Sequence, residues 1–333
     1  LYILILGVFL ALYFLSPRKA KSPLAASYVL TWLRIFLKSK IFYTFALILS
    51  LAWFFYISHF YVYLTTQLFG KDYFTALYLT PKAEHLKTPP QKPKNLILIY
   101  VESLERGLMN PSVYGENLIA PIDQLPGHSI SQFPAAPGTT WSIAGMVASQ
   151  CALPLRPSYE FLIHAKSSEN FLPSAICLGD ILAPLGYEQY FLVGPELKFA
   201  NMDRFYSSHG YQHAYGRDEW AAQGVKGETD WGGWGFGLSD DMLLNEAKKI
   251  IIKNQNNPQP YALTLITTDN HAPNGFPSKR CDIDKNKPQV SETFKCNSKF
   301  IAQFFKSLDK GGFLKNTVVV IMGDHPFAVA KTT

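Results

Sequence analysis

Residues 316–325 read NTVVVIMGDH, a short run of β-branched and apolar side chains that ends abruptly in Gly323, Asp324 and His325. Such a run is too short for an ordinary helix and reads as a buried strand delivering an acid and an imidazole to its carboxyl end. Three earlier stretches have the same texture: Asn95–Val101 (NLILIYV), Tyr187–Val193 and Tyr261–Thr267 (YALTLIT). Helix-like segments fall between them at Trp141–Gln150, Cys177–Leu185, Asp240–Lys253 and Ser298–Leu308. Alternation of fully apolar strands with helices predicts an α/β fold, a mostly parallel sheet with helices on both faces.

In an open α/β sheet, ligands bind beyond the carboxyl ends of the strands. The first strand is followed there by Glu102, the third by Thr268, Asp269, Asn270 and His271, and the last by Asp324 and His325. Two carboxylates and an imidazole on one rim form a donor set for a divalent cation with hard and borderline ligands. An acid just past a strand also serves as a helix cap or a solvated group. The adjacent Asp324-His325 pair after an apolar strand is the more specific feature.

A second element is the turn Pro137-Gly138-Thr139-Thr140-Trp141-Ser142, which leads into an apolar helix. Hydroxyls in that position are commonly N-caps. They also feel the positive end of the helix dipole, and a neighbouring metal ion would make an alkoxide accessible near neutral pH. Cap and nucleophile are both open on these residues alone.

The formal charge of +6 is unevenly placed. No Asp or Glu occurs between Leu1 and Gly70, whereas Arg18, Lys19, Lys21, Arg34, Lys38 and Lys40 lie close together. Apolar runs on either side, at about 1–16 and 41–64, have the composition of membrane spans. The second has the length needed for a ~30 Å hydrocarbon core and is rich in aromatic residues, including Trp53, Tyr56 and Tyr61. The positive-inside rule makes the basic loop 17–40 cytoplasmic and everything after residue 64 extracytoplasmic. Within the loop, Trp32–Lys38 reads as a short interfacial helix. The basic excess therefore faces a lipid bilayer, and no nucleic-acid partner is expected. A membrane module at 1–79, a Pro-rich linker at 80–95 and a globular domain at 96–333 are the expected divisions. The start at Leu1 inside an apolar run, and an end just past a strand, read as a piece of a longer chain.

Four cysteines, Cys151, Cys177, Cys281 and Cys296, occur without a CxxC pair or a histidine at zinc-finger spacing. An even number in an extracytoplasmic domain favours disulfides. Of three connectivities, Cys151–Cys177 with Cys281–Cys296 closes the two shortest loops and is the one expected; four free buried thiols is the alternative.

The stretches VESLER (101–106), PGTTWSIAGMVASQC (137–151) and ICLGDIL (176–182) closely resemble the phosphoglycerol transferases of osmoregulated periplasmic glucan (membrane-derived oligosaccharide) synthesis. Phe199-Ala200, SHGY (208–211), Trp234-Gly235-Phe236, Asp240-Asp241 and the segment 269–276 continue the likeness, which spans about 95–325. More distantly the domain is similar to lipoteichoic acid synthases, phosphoethanolamine transferases, sulfatases and alkaline phosphatases. No Cys-x-Pro-Ser-Arg or Ser-x-Pro-Ser-Arg motif of a sulfatase enzyme is present.

The resemblance implies a bacterial inner-membrane enzyme with its catalytic domain in the periplasm. Its donor would be phosphatidylglycerol and its acceptor a periplasmic glucan, with sn-glycerol-1-phosphate transferred through a phospho-threonine. It implies one divalent metal, Mn2+ or Mg2+ with Zn2+ as an alternative, held by Glu102, Asp324, His325 and the nucleophilic threonine. By the glucan-type register that nucleophile is Thr139; the lipoteichoic register selects Thr140. His271 matches the histidine that holds the substrate phosphate and protonates the leaving group, and all four cysteines match as well. A Trp and an Arg that bind glycerol phosphate in lipoteichoic acid synthases fall near Ala200 and Met202, so that contact does not carry over. Trp141-Ser142 replaces a Tyr-Thr pair of one glucan-type relative. The rival readings are a phosphoethanolamine transferase or glycerophosphate polymerase on this scaffold, or a tethered binding protein without catalysis.

Overall fold

Each apolar run becomes a strand. In the computed structural model these are β1 (Asn95–Val101), β2 (Glu188–Val193), β6 (Tyr261–Thr267) and β7 (Thr317–Gly323). The short β3 (His213–Tyr215) joins them in one five-stranded sheet of order β3-β2-β6-β1-β7. Every pairing in it is parallel. A second, two-stranded antiparallel sheet comprises β4 (Thr229–Asp230) and β5 (Phe236–Gly237). The structure describes residues 40–57, 93–131, 133–136, 138–155, 170–230 and 236–327.

Parity along the central strands assigns the two faces. Ile97, Ile99 and Val101 of β1, with Leu263 and Leu265 of β6, pack against Leu243, Leu244, Ala247 and Ile251 and against Ile301, Phe304 and Leu308. Those side chains come from helices Asp240–Asn254 and Gln289–Lys310. On the opposite face Tyr100 hydrogen-bonds to Ser149 of helix Ser142–Cys151 at 2.6 Å. Phe191 of β2 stacks on Tyr206 of helix Met202–Ser208, with centroids 3.6 Å apart. Both faces of the sheet are therefore helix-covered, as the sequence predicts.

One helix boundary differs markedly from expectation. The last helix begins at Gln289 rather than Ser298, because its first turns bury Glu292, Thr293 and Asn297 among the apolar residues and so interrupt the apolar period. Strand β1 spans Asn95–Val101 as expected, and the Asn95 side chain accepts the N–H of Tyr261 at 3.1 Å. Disulfides Cys151–Cys177 and Cys281–Cys296 are both formed, in the expected connectivity.

The chain divides into two compact units, Leu1–Leu79 and Thr80–Thr333. Of the first, the structure describes one helix, Lys40–Ile57, whose large apolar side chains from Leu47 to Ile57 are exposed. Among the described residues no helix is long and apolar enough to cross a membrane. The expected span 1–16, the loop 17–39, the interfacial segment Trp32–Lys38, the end of the second span and most of the linker lie outside the described residues.

Candidate active site

Because β1 lies between β6 and β7, whatever follows these three strands meets on one rim. In register, Val101 pairs with Thr267 on one side and Gly323 on the other. Glu102 follows the first, and its N–H donates to Thr267 Oγ1 at 3.2 Å. Asp324 and His325 follow the last. One ligand atom from each of Glu102, Asp324 and His325 lies within 4.8 Å of the others. His325 Nε2 is 3.3 Å from Glu102 Oε1 and 3.5 Å from Asp324 Oδ2.

The three are held by groups the sequence does not advertise. Ser103 has φ of +56°, a left-handed conformation uncommon outside glycine. That backbone lets its N–H donate to Asp324 Oδ1 at 2.8 Å while its hydroxyl donates to Glu102 Oε1 at 2.7 Å. Asp324 Oδ1 also accepts the His325 N–H at 2.8 Å. The other oxygen, Oδ2, is buried and makes no hydrogen bond.

Helix Ser142–Cys151 closes the site from the opposite side. Ser142, in its first turn, faces the Asp324 carboxyl. Gly145, one turn on, packs so closely that a Cβ there would collide with the Asp324 carbonyl oxygen. Gly323 similarly lies against the Leu104 carbonyl. The sequence motifs give no role to Ser103 or Gly145, and Ser142 enters there only among the turn hydroxyls. The left-handed backbone at Ser103 and the close approach at Gly145 exist only once the strands are assembled.

Burial, reinforced by the Glu102 charge, pushes the Asp324 carboxyl up to about 7. Burial opposes charge on Glu102, but the hydrogen bond from His325, the charges of His325 and His271 and the Ser103 hydroxyl together outweigh it and hold Glu102 below the usual carboxylate range. His325, though half-buried, is raised to about 9 by Glu102 and Asp324. Without a cation the cluster thus retains protons. Two carboxylates, an imidazole and a buried carboxylate oxygen without a hydrogen bond fit a divalent cation of the Mg2+, Mn2+ or Zn2+ type.

His271 stands near enough for its charge to lower Glu102. Its Nδ1 lies 2.9 Å from the Ala272 carbonyl oxygen, and its ring meets Phe199 edge-on with centroids 6.5 Å apart. Phe199 precedes Ala200 and Asn201, both left-handed at φ +52° and +59°. Of the two threonines, Thr139 is buried and Thr140 exposed. The Thr139 hydroxyl donates to the Ala136 carbonyl at 2.6 Å, three residues before Ser142. A second group, Cys177, Asp180 and His209, also has metal-like spacing. Cys177 is consumed in a disulfide, and His209 is bound by Asp180 at 2.7 Å and the Phe171 carbonyl at 2.9 Å, so the group is a structural clasp.

A family model described as Sulfatase matches residues 94–332. Phosphoglycerol transferase I of Escherichia fergusonii is 38% identical over 250 residues, covering 73% of this chain and 32% of that protein. The chain thus spans about a third of the length of the curated relatives it matches. The lipoteichoic acid synthase LtaP of Listeria monocytogenes superposes with a TM-score of 0.58 at 21% identity, over 77% of this chain and 62% of that one. A protein of the alkaline phosphatase superfamily from Vibrio parahaemolyticus gives 0.57 at 23% identity, over 73% and 57%. These two structures share the fold.

Proposed function

The chain belongs to the sulfatase family, and from that premise we propose that it is the catalytic part of a metal-dependent phosphoglycerol transferase. The observation that carries the chemistry is the buried Asp324 Oδ2, without a hydrogen bond, beside Glu102 and His325. The name of the relative at 38% identity supplies the transferred group. On this reading the donor is phosphatidylglycerol and the acceptor a periplasmic glucan hydroxyl. The apolar runs at 1–16 and 41–64 anchor the enzyme in a bacterial inner membrane with the catalytic unit in the periplasm.

Glu102, Asp324 and His325, with the Thr139 oxygen, would hold one Mn2+ or Mg2+ ion. When bound, it supplies positive charge that lowers the pKa of the hydroxyl and offsets charge on the phosphoryl oxygens. The chain's own groups do the rest. Thr139 turns from the Ala136 carbonyl, gives its proton to solvent water and forms a bond from Oγ1 to phosphorus. The phosphorus–oxygen bond to diacylglycerol breaks, and the leaving oxygen takes a proton from His271. Thr139 then carries sn-glycerol-1-phosphate. In the second half, an acceptor hydroxyl passes its proton to His271 and bonds to phosphorus. The Thr139 oxygen leaves and takes back a proton from solvent, so the cycle closes.

The test is headgroup supply. Vesicles holding radiolabelled phosphatidylglycerol and phosphatidylethanolamine are offered together with glucan. Label should pass from phosphatidylglycerol to glucan with matching diacylglycerol release. Transfer from phosphatidylethanolamine alone would replace this reading by that of a phosphoethanolamine transferase.

A further inference from the structure

Behind the rim lies a second set of buried acids, hydrogen-bonded to one another and to the end of β6 rather than to the proposed metal ligands. Asp240 opens helix Asp240–Asn254, yet its side chain does not cap that helix. It reaches across to the end of β6. Asp240 Oδ1 accepts the Thr268 N–H at 2.7 Å, and Oδ2 accepts the Asp269 N–H at 3.0 Å. The Asn297 amide, from the last helix, donates to Oδ2 as well. In return Asp269 Oδ2 accepts the Asp240 N–H at 3.2 Å. Asp240, Asp269 and Asn297 are all buried.

This reciprocal clasp fixes the two residues from which the His271 turn springs. The His271 N–H donates to the Thr268 carbonyl at 3.0 Å, and the Gly275 N–H to the His271 carbonyl at 3.0 Å. The Phe276 N–H returns to the Asp269 carbonyl at 2.6 Å. Gly275 is left-handed at φ +73°, where a Cβ would press on Thr293 and on the Asp269 carbonyl. The turn thus has its start, middle and end tied to Thr268, His271 and Asp269. The first and last of these hang from Asp240.

Burying an acid is costly unless donors surround it. A carboxylate with three N–H donors is satisfied where an amide would set an NH2 against an N–H. A cap for the helix alone needs no such reach; Ser239, at the N-cap position, makes no side-chain cap bond either. The outer side of the same helix start is held separately, by Arg280 on Asp241.

We propose that Asp240 is a positioning residue for the transfer reaction, fixing the backbone that presents His271 to the substrate phosphate. The proposal rests on the reading of His271 given above. It acts through orientation, which is where misplacement costs rate.

The test is a double-mutant cycle on the whole chain, read as diacylglycerol release from phosphatidylglycerol vesicles, with Asp240→Ala, the near-isosteric Asp240→Asn and His271→Ala. Asp240→Asn should lower kcat about tenfold or more, and adding it to His271→Ala should lower it no further. Additive losses would overturn the proposal. So would a fall in Mn2+ affinity, because that places the effect at Glu102 through Thr267. Should Asp240→Ala not fold, Asp240→Asn carries the cycle. If His271→Ala alone leaves release untouched, the functional reading of His271 fails, and the positioning claim is decided by NMR. The His271 ring resonance, assigned by its loss in His271→Ala, should broaden or split in Asp240→Asn while that of His209 is unchanged. An unaltered His271 resonance overturns the claim.

Discussion

His325 Nε2 stands 3.3 Å from Glu102 Oε1, so residues just beyond strands β1 and β7 share one charge-assisted contact. The contact holds Glu102 ionised and His325 protonated in the metal-free protein. Replacing Glu102 by Gln removes the largest influence raising His325. In that variant the imidazole pKa should fall from about 9 toward its ordinary value, as an NMR titration of the metal-free protein would read. Transfer should fall at least ~100-fold, the scale for losing one electrostatic contributor. An unchanged His325 titration would show that the pairing does not operate in solution.

The two threonines separate by burial, which makes the nucleophile testable. Thr139 is enclosed and its hydroxyl engaged, while Thr140 faces solvent. Thr139→Ala should abolish both diacylglycerol release and any trapped phospho-threonine. Thr140→Ala should keep activity within about a few-fold and stability within ~0.5 kcal/mol, as for an ordinary surface substitution. The reverse pattern in mass spectra of enzyme quenched with donor would move the nucleophile to Thr140.

How much of this was legible in the chain follows from the range of each interaction. Glu102 and the Asp324-His325 pair could be read because a buried parallel strand is a continuous apolar run, and the residue that breaks it marks the ligand-binding rim. Ser103 could not, since its left-handed backbone is useful only with Asp324 already alongside, 221 positions away in sequence. Asp240 looks in sequence like an acid complementing a helix dipole, and only the packed structure turns it toward Thr268. The late start assigned to the last helix has a similar cause. Glu292, Thr293 and Asn297 face inward there and interrupt the apolar period on which the reading depends.

Gly145 gives a prediction with an inverted sign. In an exposed helix interior, Gly→Ala stabilises by about 1 kcal/mol. Here the added Cβ meets the Asp324 backbone, which flexible side-chain motion cannot relieve. Gly145→Ala should therefore destabilise, by ~1–3 kcal/mol as overpacking does, and weaken metal binding by shifting Asp324. Thermal unfolding and Mn2+ titration of the same sample check both effects. A stabilised variant with intact metal affinity would mean that the helix stands further from Asp324 than the structure places it.

Metal uptake should be linked to protons, and the pKa values set the window. A cation needs Asp324 ionised and His325 neutral, but burial raises Asp324 to about 7 and its acidic neighbours raise His325 to about 9. Above about pH 9 both ligands are ready and affinity should be flat. Between about 9 and 7 one proton, that of His325, must leave, so affinity falls ~10-fold per pH unit. Below about 7 the Asp324 proton must leave too, and the slope steepens to ~100-fold per unit. Calorimetric Mn2+ titrations in buffers of different ionisation enthalpy count the protons directly. One released at pH 8 and two at pH 6 is the expected result, and uptake without proton release at pH 6 would remove these residues from the metal site.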